Sequence, residues 1–356
     1  MRQLVTIQRV KAVRSIENAD NIEVADILGW HVVVRKGEFK EGDLCVYGEI
    51  DTIFPADNKY FAFLEGKRIR TKKLRGQISQ GIAFPLCVLE GYDKAFSEGD
   101  DVTEFIGAKK WEPQADPWYV VKEPTNNKWY MRFRIGRWFW RKFIYKPLRA
   151  EFPKWINKTD ETRVQVLQDV LYQYKGTVCD VTEKLDGSSV TFWVDNKRKF
   201  HVCSRNKEIL DENDFMYVTA MKFYDSMKFV PFNTVFQGEI IGPKIQGNKY
   251  KLDSYRIYVF NVINKGGYYL SPVEMRNICR SLDIPTVPSF GCIKLTDNVD
   301  KLVELSIEKS VINNNVQREG IVIRPCENII VSDRRFVGGR LSFKVINPKF
   351  LLKYEE

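Results

Sequence analysis

The chain has 356 residues, of which 44% are hydrophobic and 29% are charged, and its formal net charge is +10. This composition excludes a disordered chain, and the length predicts two domains. The positive charge favours a polyanionic partner, most simply nucleic acid. No apolar stretch reaches the roughly 20 residues of a membrane-spanning helix, and the first residues show no signal-peptide pattern, so we expect neither feature.

The seven cysteines are scattered and form no Cys-x-x-Cys pair, and the two histidines, His31 and His201, lie far apart in the sequence. We therefore expect reduced thiols in a cytoplasmic or nuclear protein. A zinc site or a histidine-based catalytic triad is disfavoured by the same spacing.

Residues 1–108 alternate short strand-like runs with glycine and proline turns, which predicts a small OB-like barrel. This region also contains six basic residues within nine positions. They form either a solvated loop or a surface that binds nucleic acid, because clustered cations neutralise phosphates. The predicted nucleic-acid-binding residues here are Lys67, Arg68, Arg70, Lys72, Lys73 and Arg75.

Residues 109–151 form a predicted connector, in which three prolines precede a stretch of interleaved aromatic and basic residues. Such a stretch could stack on bases or lie at a membrane surface. Trp129, Met131, Phe133 and Ile135 share one parity, however, which favours a half-buried strand packed against the second domain.

The second predicted domain covers residues 152–356. It opens with a predicted helix capped by Thr159 or Asp160, because acidic residues occupy the first turn and apolar residues recur at helical spacing. The apolar face of that helix would consist of Val164, Leu167, Leu171 and Tyr174.

Lys184 and Asp186 lie two residues apart at a glycine turn, so both side chains of an extended segment face the same side. A lysine amine attacks phosphorus only when it is neutral, and its usual pKa of about 10.4 leaves little neutral amine. We therefore expect burial or neighbouring positive charge to lower the pKa of Lys184. Asp-Gly alone is also a common hairpin turn, so the motif needs support from the rest of the chain.

Further polar residues follow in order, each on or beside a predicted strand: Arg205, Glu239, Glu319 and Lys344. The series resembles the motifs of the covalent ligase and capping-enzyme superfamily, with Phe260 as its aromatic member. More closely, the chain resembles the Deinococcus-type, or fifth, family of ATP-dependent RNA ligases. The runs that carry this resemblance are Tyr47-Gly48-Glu49-Ile50-Asp51, Lys158-Thr159-Asp160-Glu161 and Thr182-Glu183-Lys184-Leu185-Asp186-Gly187.

The resemblance implies an α+β protein, with an OB-like barrel followed by an adenylyltransferase domain of antiparallel sheets and flanking helices. It implies a monomeric RNA ligase that uses ATP and Mg²⁺ or Mn²⁺. Lys184 would carry AMP and transfer it to a 5′-phosphate at a nick in a duplex containing RNA. A 3′-hydroxyl would then attack that phosphate and displace the AMP.

The same resemblance implies the residue roles. The nucleotide-binding residues would be Glu183, Lys184, Arg205, Glu239, Phe260, Glu319 and Lys344. The metal ligands would be Asp186, Glu239 and Glu319, and Arg205 would also contact nucleic acid. One departure is Ile346, since similar ligases often carry a second lysine there; Lys349 and Arg324 are candidates to supply that charge.

Other functions stay open on sequence alone. A GTP-dependent capping guanylyltransferase shares the lysine motif but usually carries its barrel after the transferase domain, and we expect no barrel after Lys344. The same order disfavours a DNA ligase. A non-catalytic nucleic-acid-binding protein with this fold is disfavoured because the motif residues are intact.

Overall fold

The computed structural model describes residues 3–93, 95–111, 129–139 and 148–354. Three mixed or antiparallel sheets and two small two-stranded ones form the described part of the chain. The protein is therefore of the α+β class. None of the described helices is long and apolar enough to span a bilayer.

The first sheet has the order β3-β2-β1-β4-β8 and is antiparallel throughout. Its strands are β1 (Val5–Ser15), β2 (Ile22–Ile27), β3 (Trp30–Arg35), β4 (Leu44–Gly48) and β8 (Ile82–Phe84). A bulge in β1 bends the strand, and Gln80 N donates to His31 O across the remaining gap at 2.9 Å. The sheet thus closes into the nearly complete barrel of an OB fold, as the strand spacing predicted.

Smaller elements decorate this barrel. They are β5 (Thr52–Ile53), which pairs with β9 (Lys109–Lys110), the hairpin of β6 (Lys72–Leu74) and β7 (Gln77–Ser79), and α1 (Thr103–Ile106). Short 3₁₀ turns occur here and further along the chain, at Ala62–Leu64, Leu86–Leu89, Trp129–Arg132, Val164–Val166, Ser226–Phe229, Gln246–Asn248 and Val337–Gly339.

The second sheet has six antiparallel strands in the order β10-β15-β14-β13-β16-β17. They are β10 (Arg149–Glu151), β13 (Ser188–Val194), β14 (Phe200–Ser204), β15 (Lys207–Ile209), β16 (Val235–Ile241) and β17 (Arg256–Ile263). The helices along this part of the chain are α2 (Arg134–Phe139), α3 (Gln168–Gln173), α4 (Phe215–Met221) and α5 (Pro272–Ser281).

The third sheet has the order β11-β20-β19-β12-β18, and only the pair of β11 with β20 is parallel. Its strands are β11 (Thr162–Arg163), β12 (Val178–Lys184), β18 (Ser289–Lys294), β19 (Gly320–Pro325) and β20 (Phe343–Ile346). Two more helices complete the chain, α6 (Val299–Ser306) and α7 (Pro348–Tyr354).

The chain crosses from the third sheet to the second between β12 and β13, through residues 185–187. Gly187 is required at this crossing, because a Cβ there would lie 2.4 Å from the Ile240 carbonyl oxygen. Such close backbone approach is open only to glycine. The turn that follows β12 therefore lies directly against β16 at Gly187.

Helix α7 packs into the core of the barrel. Phe350, Leu351 and Ile346 are buried together with Ile7, Tyr47 and other barrel residues in one hydrophobic cluster. Since Ile346 is the last residue of β20, the barrel and the third sheet share this core.

Two local predictions differ from the structure. The aromatic stretch is not a half-buried strand: residues 129–132 form a 3₁₀ turn, α2 follows, and Phe133 and Ile135 are 60% and 80% exposed. No described strand pairs with it. Connector residues 112–128 and 140–147 lie outside the described residues.

The predicted start of the next helix, at Thr159 or Asp160, is also wrong. Thr162 and Arg163 form β11 instead, because they pair with Phe343 and Lys344, and α3 begins only at Gln168. Tertiary pairing overrides the local helix signal at this point.

Candidate active site

Lys184 forms an ion pair with Glu319 at the crossing between the second and third sheets. Its Nζ lies 2.6 Å from Oε1 and 2.6 Å from Oε2 of the carboxylate. Lys184 ends β12 and Glu319 immediately precedes β19, and the ladder places Lys184 opposite Gly320. Strand pairing therefore brings together two residues that are 135 positions apart.

The charge state of Lys184 differs from the expectation. Burial opposes the charged amine, but the carboxylates of Glu319 and Glu239 outweigh burial and raise the pKa of Lys184. The prediction of a lowered pKa is wrong for this arrangement, because acidic side chains and not cations surround the amine.

Two more carboxylates lie beside this pair. Glu239, on β16, accepts a hydrogen bond from Gly187 N at 3.2 Å. Burial raises the pKa of Glu239 to about 8, with Lys184 opposing the shift. Burial and the nearby Glu319 raise the pKa of Asp186 to about 6, and Lys249 opposes this shift. Nearby cations are therefore needed if Asp186, Glu239 and Glu319 are all to be ionised at the same time.

The predicted metal ligands Asp186, Glu239 and Glu319 therefore lie in one region. Among the residues that the structure describes, no three His, Cys, Asp or Glu side chains are arranged to hold a metal ion by themselves. Lys184 engages Glu319, and Lys249 engages Asp186. Mg²⁺ usually binds through one or two carboxylates, waters and substrate phosphates, so the donor set fits such an ion together with a nucleotide.

Lys344 lies on the same face of the third sheet as Lys184. It is opposite Val322 on β19, and Val322 is opposite Thr182 on β12, two residues before Lys184. Residues in register share a face, and alternate residues of one strand do too. This face therefore presents two lysines, Lys184 and Lys344.

Glu183 lies on the opposite face of β12. Its carboxylate is buried, and Oε2 accepts a hydrogen bond from Val311 N at 2.9 Å. Burial raises the pKa of Glu183. The structure does not bring Glu183 to the side of Lys184, because successive strand residues alternate, and we leave it out of the proposed nucleotide pocket.

Phe260 is the extra residue of a bulge in β17. Gln237 is opposite Asn261 and Gly238 is opposite Val259, so Phe260 has no counterpart on β16. It shares parity with Tyr258, which is opposite Glu239, and therefore faces the same side of the second sheet as Glu239. Bulges of this kind often re-aim a side chain beside an active site.

The run 158–161 connects the sheets. Lys158 Nζ donates to Asn206 at 2.9 Å, Thr159 Oγ1 lies 2.8 Å from Ser189 Oγ, and Asp160 pairs with Arg205 at 2.5 Å. In the next position, Glu161 pairs with the buried Arg324 at 2.9 Å. Each residue of this run thus has its own partner on or beside a strand of the second or third sheet.

Arg205 therefore lies outside the carboxylate group. It is about half exposed and pairs with the equally exposed Asp160. An exposed guanidinium at the edge of the site is suited to contact a phosphate of a large substrate.

The two predicted candidates for the charge missing at Ile346 lie in different surroundings. Ile346 is buried in the barrel core, and Lys349 is exposed on α7. Arg324 is held by Glu161 and donates to Phe260 O at 3.2 Å. Lys249, which the sequence analysis missed, is the cation that the structure places beside Asp186.

The predicted basic surface of the barrel is divided. Arg68 is 11% exposed, pairs with Asp51 at 2.6 Å and lies 3.9 Å from the Trp111 ring centroid, so the fold draws it inward. Lys67 is exposed and pairs with Glu65. The other predicted members are exposed on and around the β6–β7 hairpin: Arg70, Lys72, Lys73 and Arg75.

An OB barrel followed by two sheets with a lysine and three carboxylates at their crossing defines a nucleotidyltransferase-like enzyme. Residues 179–346 match the family model described as RNA ligase, and residues 4–86 match a model described as an OB-fold domain. No curated protein sequence matches the chain significantly.

Solved structures of Naegleria gruberi RNA ligase are similar over the whole chain. A mutant described as apo is 31% identical, with a TM-score of 0.82, and the match covers 100% of this chain and 99% of that one. Two further mutants, one with ATP and Mn and one with AMP and Mn, are also 31% identical, with TM-scores of 0.82 and 99% of both chains covered. This chain belongs to the RNA ligase family.

Proposed function

We propose that this chain is an ATP-dependent RNA ligase of the Deinococcus-type family, which works through a covalent lysyl-AMP on Lys184. The observation that carries the proposal is the position of Lys184 at the sheet crossing, paired with Glu319 and on the same face as Lys344. ATP and Mn accompany the similar Naegleria ligase mutant, which supports the same nucleotide and a divalent ion here.

In the first step, the neutral amine of Lys184 attacks the α-phosphorus of ATP. A phosphoramidate bond forms, the bond to the β-phosphate oxygen breaks, and pyrophosphate leaves. The ion pair with Glu319 keeps the amine charged, so it must lose a proton to solvent before the attack. Lys344 lies on the attacking side, where it can offset negative charge on the phosphate.

The remaining pocket residues orient the nucleotide. Glu239 is positioned to accept hydrogen bonds from the ribose hydroxyls, and Phe260, on the same side of the second sheet, offers a ring for stacking on the adenine. These contacts hold the α-phosphate near Lys184, which removes orientational freedom before the reaction.

Asp186, Glu239 and Glu319 are the residues that would hold Mg²⁺ or Mn²⁺. When bound, the ion supplies positive charge that favours the neutral lysine and neutralises phosphate oxygens.

In the second step, an oxygen of a 5′-phosphate, on RNA or DNA, attacks the phosphorus of lysyl-AMP, and Lys184 leaves. A 3′-hydroxyl then attacks the activated 5′-phosphate and releases AMP. Arg205, exposed at the rim, is proposed to bind the 5′-phosphate, and the basic β6–β7 hairpin is proposed to bind the duplex. The proposed substrate is a nick with RNA on the 3′-hydroxyl side.

The test is covalent labelling with α-radiolabelled ATP or GTP and Mg²⁺ or Mn²⁺. We expect ATP to label the protein and Lys184→Ala to abolish the label. Lys265→Ala, which changes an exposed lysine in a loop, is the matched control and should label normally. Labelling by GTP alone would indicate a capping-type enzyme, and no labelling by either nucleotide would contradict the proposal.

The substrate is tested with 5′-labelled nicked duplexes that carry RNA or DNA on each side of the break. We expect sealing when the 3′-hydroxyl strand ends in RNA and little sealing when it ends in DNA. Equal sealing of both duplexes would contradict the proposed strand preference.

A further inference from the structure

Lys249 pairs with the Asp186 carboxylate, and both side chains are largely buried, at 18% and 15% exposed. Asp186, Glu239 and Glu319 share one region with Lys184, so three acidic groups face one amine. Lys249 is the second cation in this group. Buried carboxylates need such partners, because unpaired charge in a low-polarity region is strongly unfavourable.

Residues 246–250 hold the turn after Lys184 at three points. Besides the Lys249 pair, Tyr250 OH accepts a hydrogen bond from Asp186 N at 2.8 Å, and Gln246 Nε2 donates to Gly187 O at 3.3 Å. Backbone and side chain of Asp186 are thus fixed by neighbouring residues of one segment.

The 246–250 segment is itself tightly shaped. Gln246, Gly247 and Asn248 have φ values of 46°, 68° and 48°, in the left-handed region. The Asn248 side chain closes the turn, accepting from Leu252 N at 3.0 Å and donating to Leu252 O at 2.9 Å. Backbone strain of this kind is kept only where the surrounding contacts stabilise it. In this segment the turn places Lys249 beside Asp186.

Two aromatic rings of α7 also lie near Lys249. Its Nζ lies 5.2 Å from the Phe350 ring centroid and 5.5 Å from the Tyr354 centroid. Both distances are within the range of a cation–π contact. Lys249 is therefore held by a carboxylate and two rings, and α7 ties this contact to the barrel core.

We propose that Lys249 is the positioning residue of Asp186 and supplies positive charge to the nucleotide-transfer site in addition to that of Lys184 and Lys344. This inference rests on the proposed function. Lys249 acts through Asp186: it fixes the carboxylate where Lys184 and the incoming phosphates meet, and it takes the place of a charge that β20 does not carry because Ile346 is apolar. A misplaced Asp186 would slow the chemical step more than it weakens ATP binding.

The first measurement is single-turnover formation of lysyl-AMP by the full chain at varied ATP. Lys249→Met should lower the maximal rate by about 10- to 100-fold and change the half-saturating ATP concentration by less than about 3-fold. Lys249→Arg, which keeps the charge, should recover most of the rate. Lys251→Met, at an exposed lysine two residues on, should match the unchanged protein.

The second measurement is thermal unfolding, which does not depend on activity. Lys249→Met leaves the Asp186 carboxylate buried without its partner, so the Tm should fall by about 5 °C. Asp186→Asn in the same chain should restore most of that loss, because the uncompensated charge is gone. A pair that acts together gives such non-additive shifts.

The outcomes separate the two proposals. Normal labelling of Lys249→Met, equal failure of the Met and Arg variants, or additive Tm shifts would each overturn the role of Lys249 while leaving the ligase proposal intact. If the unchanged protein is not labelled by ATP, the proposed function fails, and the unfolding data still decide whether Lys249 positions Asp186.

Discussion

Lys184 donates to both carboxylate oxygens of Glu319, each at 2.6 Å, so Glu319 is the acidic residue that directly holds the proposed nucleophile. The contact joins the end of β12 to the start of β19 and depends on the pairing of those strands. A substitution of the Glu319 side chain therefore alters the site, while the backbone pairing of β12 with β19 stays in place.

Glu319→Gln should fold and bind RNA but lose lysyl-AMP formation by about 100-fold or more, because the neutral amide removes the proposed metal ligand and the partner of Lys184. Radiolabelling with ATP, an RNA binding assay and a thermal melt measure these effects. Glu304→Gln, at an exposed position of α6, is the control. Normal labelling of the Glu319 variant would show that the carboxylate is dispensable.

The exposed β6–β7 hairpin should bind nucleic acid through phosphates. The triple variant Lys72→Ala, Lys73→Ala and Arg75→Ala should weaken duplex binding and reduce the salt dependence of log Kd by about 2–3, since each lost phosphate contact accounts for about 0.9. Fluorescence anisotropy at several salt concentrations measures this slope.

The control for the hairpin variant removes three positive charges from exposed positions elsewhere on the barrel. Lys11, Lys36 and Lys40 changed together to alanine should leave the slope nearly unaltered. If both triple variants lose the same amount, net charge alone explains binding and the hairpin has no special role.

His31 links the barrel to α6 in a pH-dependent way. Its Nδ1 lies 2.7 Å from Asp26 and its Nε2 lies 3.1 Å from Asp300. The hydrogen bond to Asp26 raises the pKa of His31, although burial opposes the shift. A group with a raised folded pKa stabilises fully below its unfolded pKa of about 6.5, and this stability is lost as pH rises through the folded value.

Thermal melts between about pH 5.5 and 8.5 test this linkage. The Tm advantage of the unchanged protein over His31→Gln should be largest at the acidic end and shrink as pH rises. Asp300→Asn removes the contact that crosses to α6 and should reduce the same pH dependence. A constant difference across the range would rule out titration of His31 as its cause.

Cys292 and Cys326 form a close thiol pair, with 3.0 Å between their sulfur atoms. A disulfide is about 1 Å shorter, so little movement is needed to join them. Treatment with diamide, which accepts two electrons and two protons, should remove about 2 Da from the chain by forming this bond. Mass spectrometry detects the change, and Cys87→Ser, at another exposed cysteine, should not prevent it.

Some of this architecture could be read from sequence because its signals are local. Strand alternation and glycine turns indicated the barrel, and the ordered series of motif residues carried the resemblance that implied a shared site for Lys184, Glu239 and Glu319. These residues are placed by backbone ladders, whose period of two is visible in a sequence.

Other features depend on contacts that no local pattern encodes. Lys249 reaches Asp186 only because the 246–250 segment adopts left-handed turns, and lysines in polar segments are usually solvated. Arg68 belonged to a uniform basic run, yet Asp51 and Trp111 draw it inward. The raised pKa of Lys184 likewise follows from the carboxylates gathered by three strands.

Burial of Phe350 and Leu351 in the barrel limits how the two halves of the molecule can open. A hinge motion that swung the barrel away would bring both side chains into water, at about 1.5–3 kcal/mol each. Ile346 is anchored in the same core, two residues after Lys344. A change in the orientation of the barrel would therefore also move Lys344, because only one residue separates it from Ile346. The position of the barrel and the position of Lys344 in the proposed site are thus coupled.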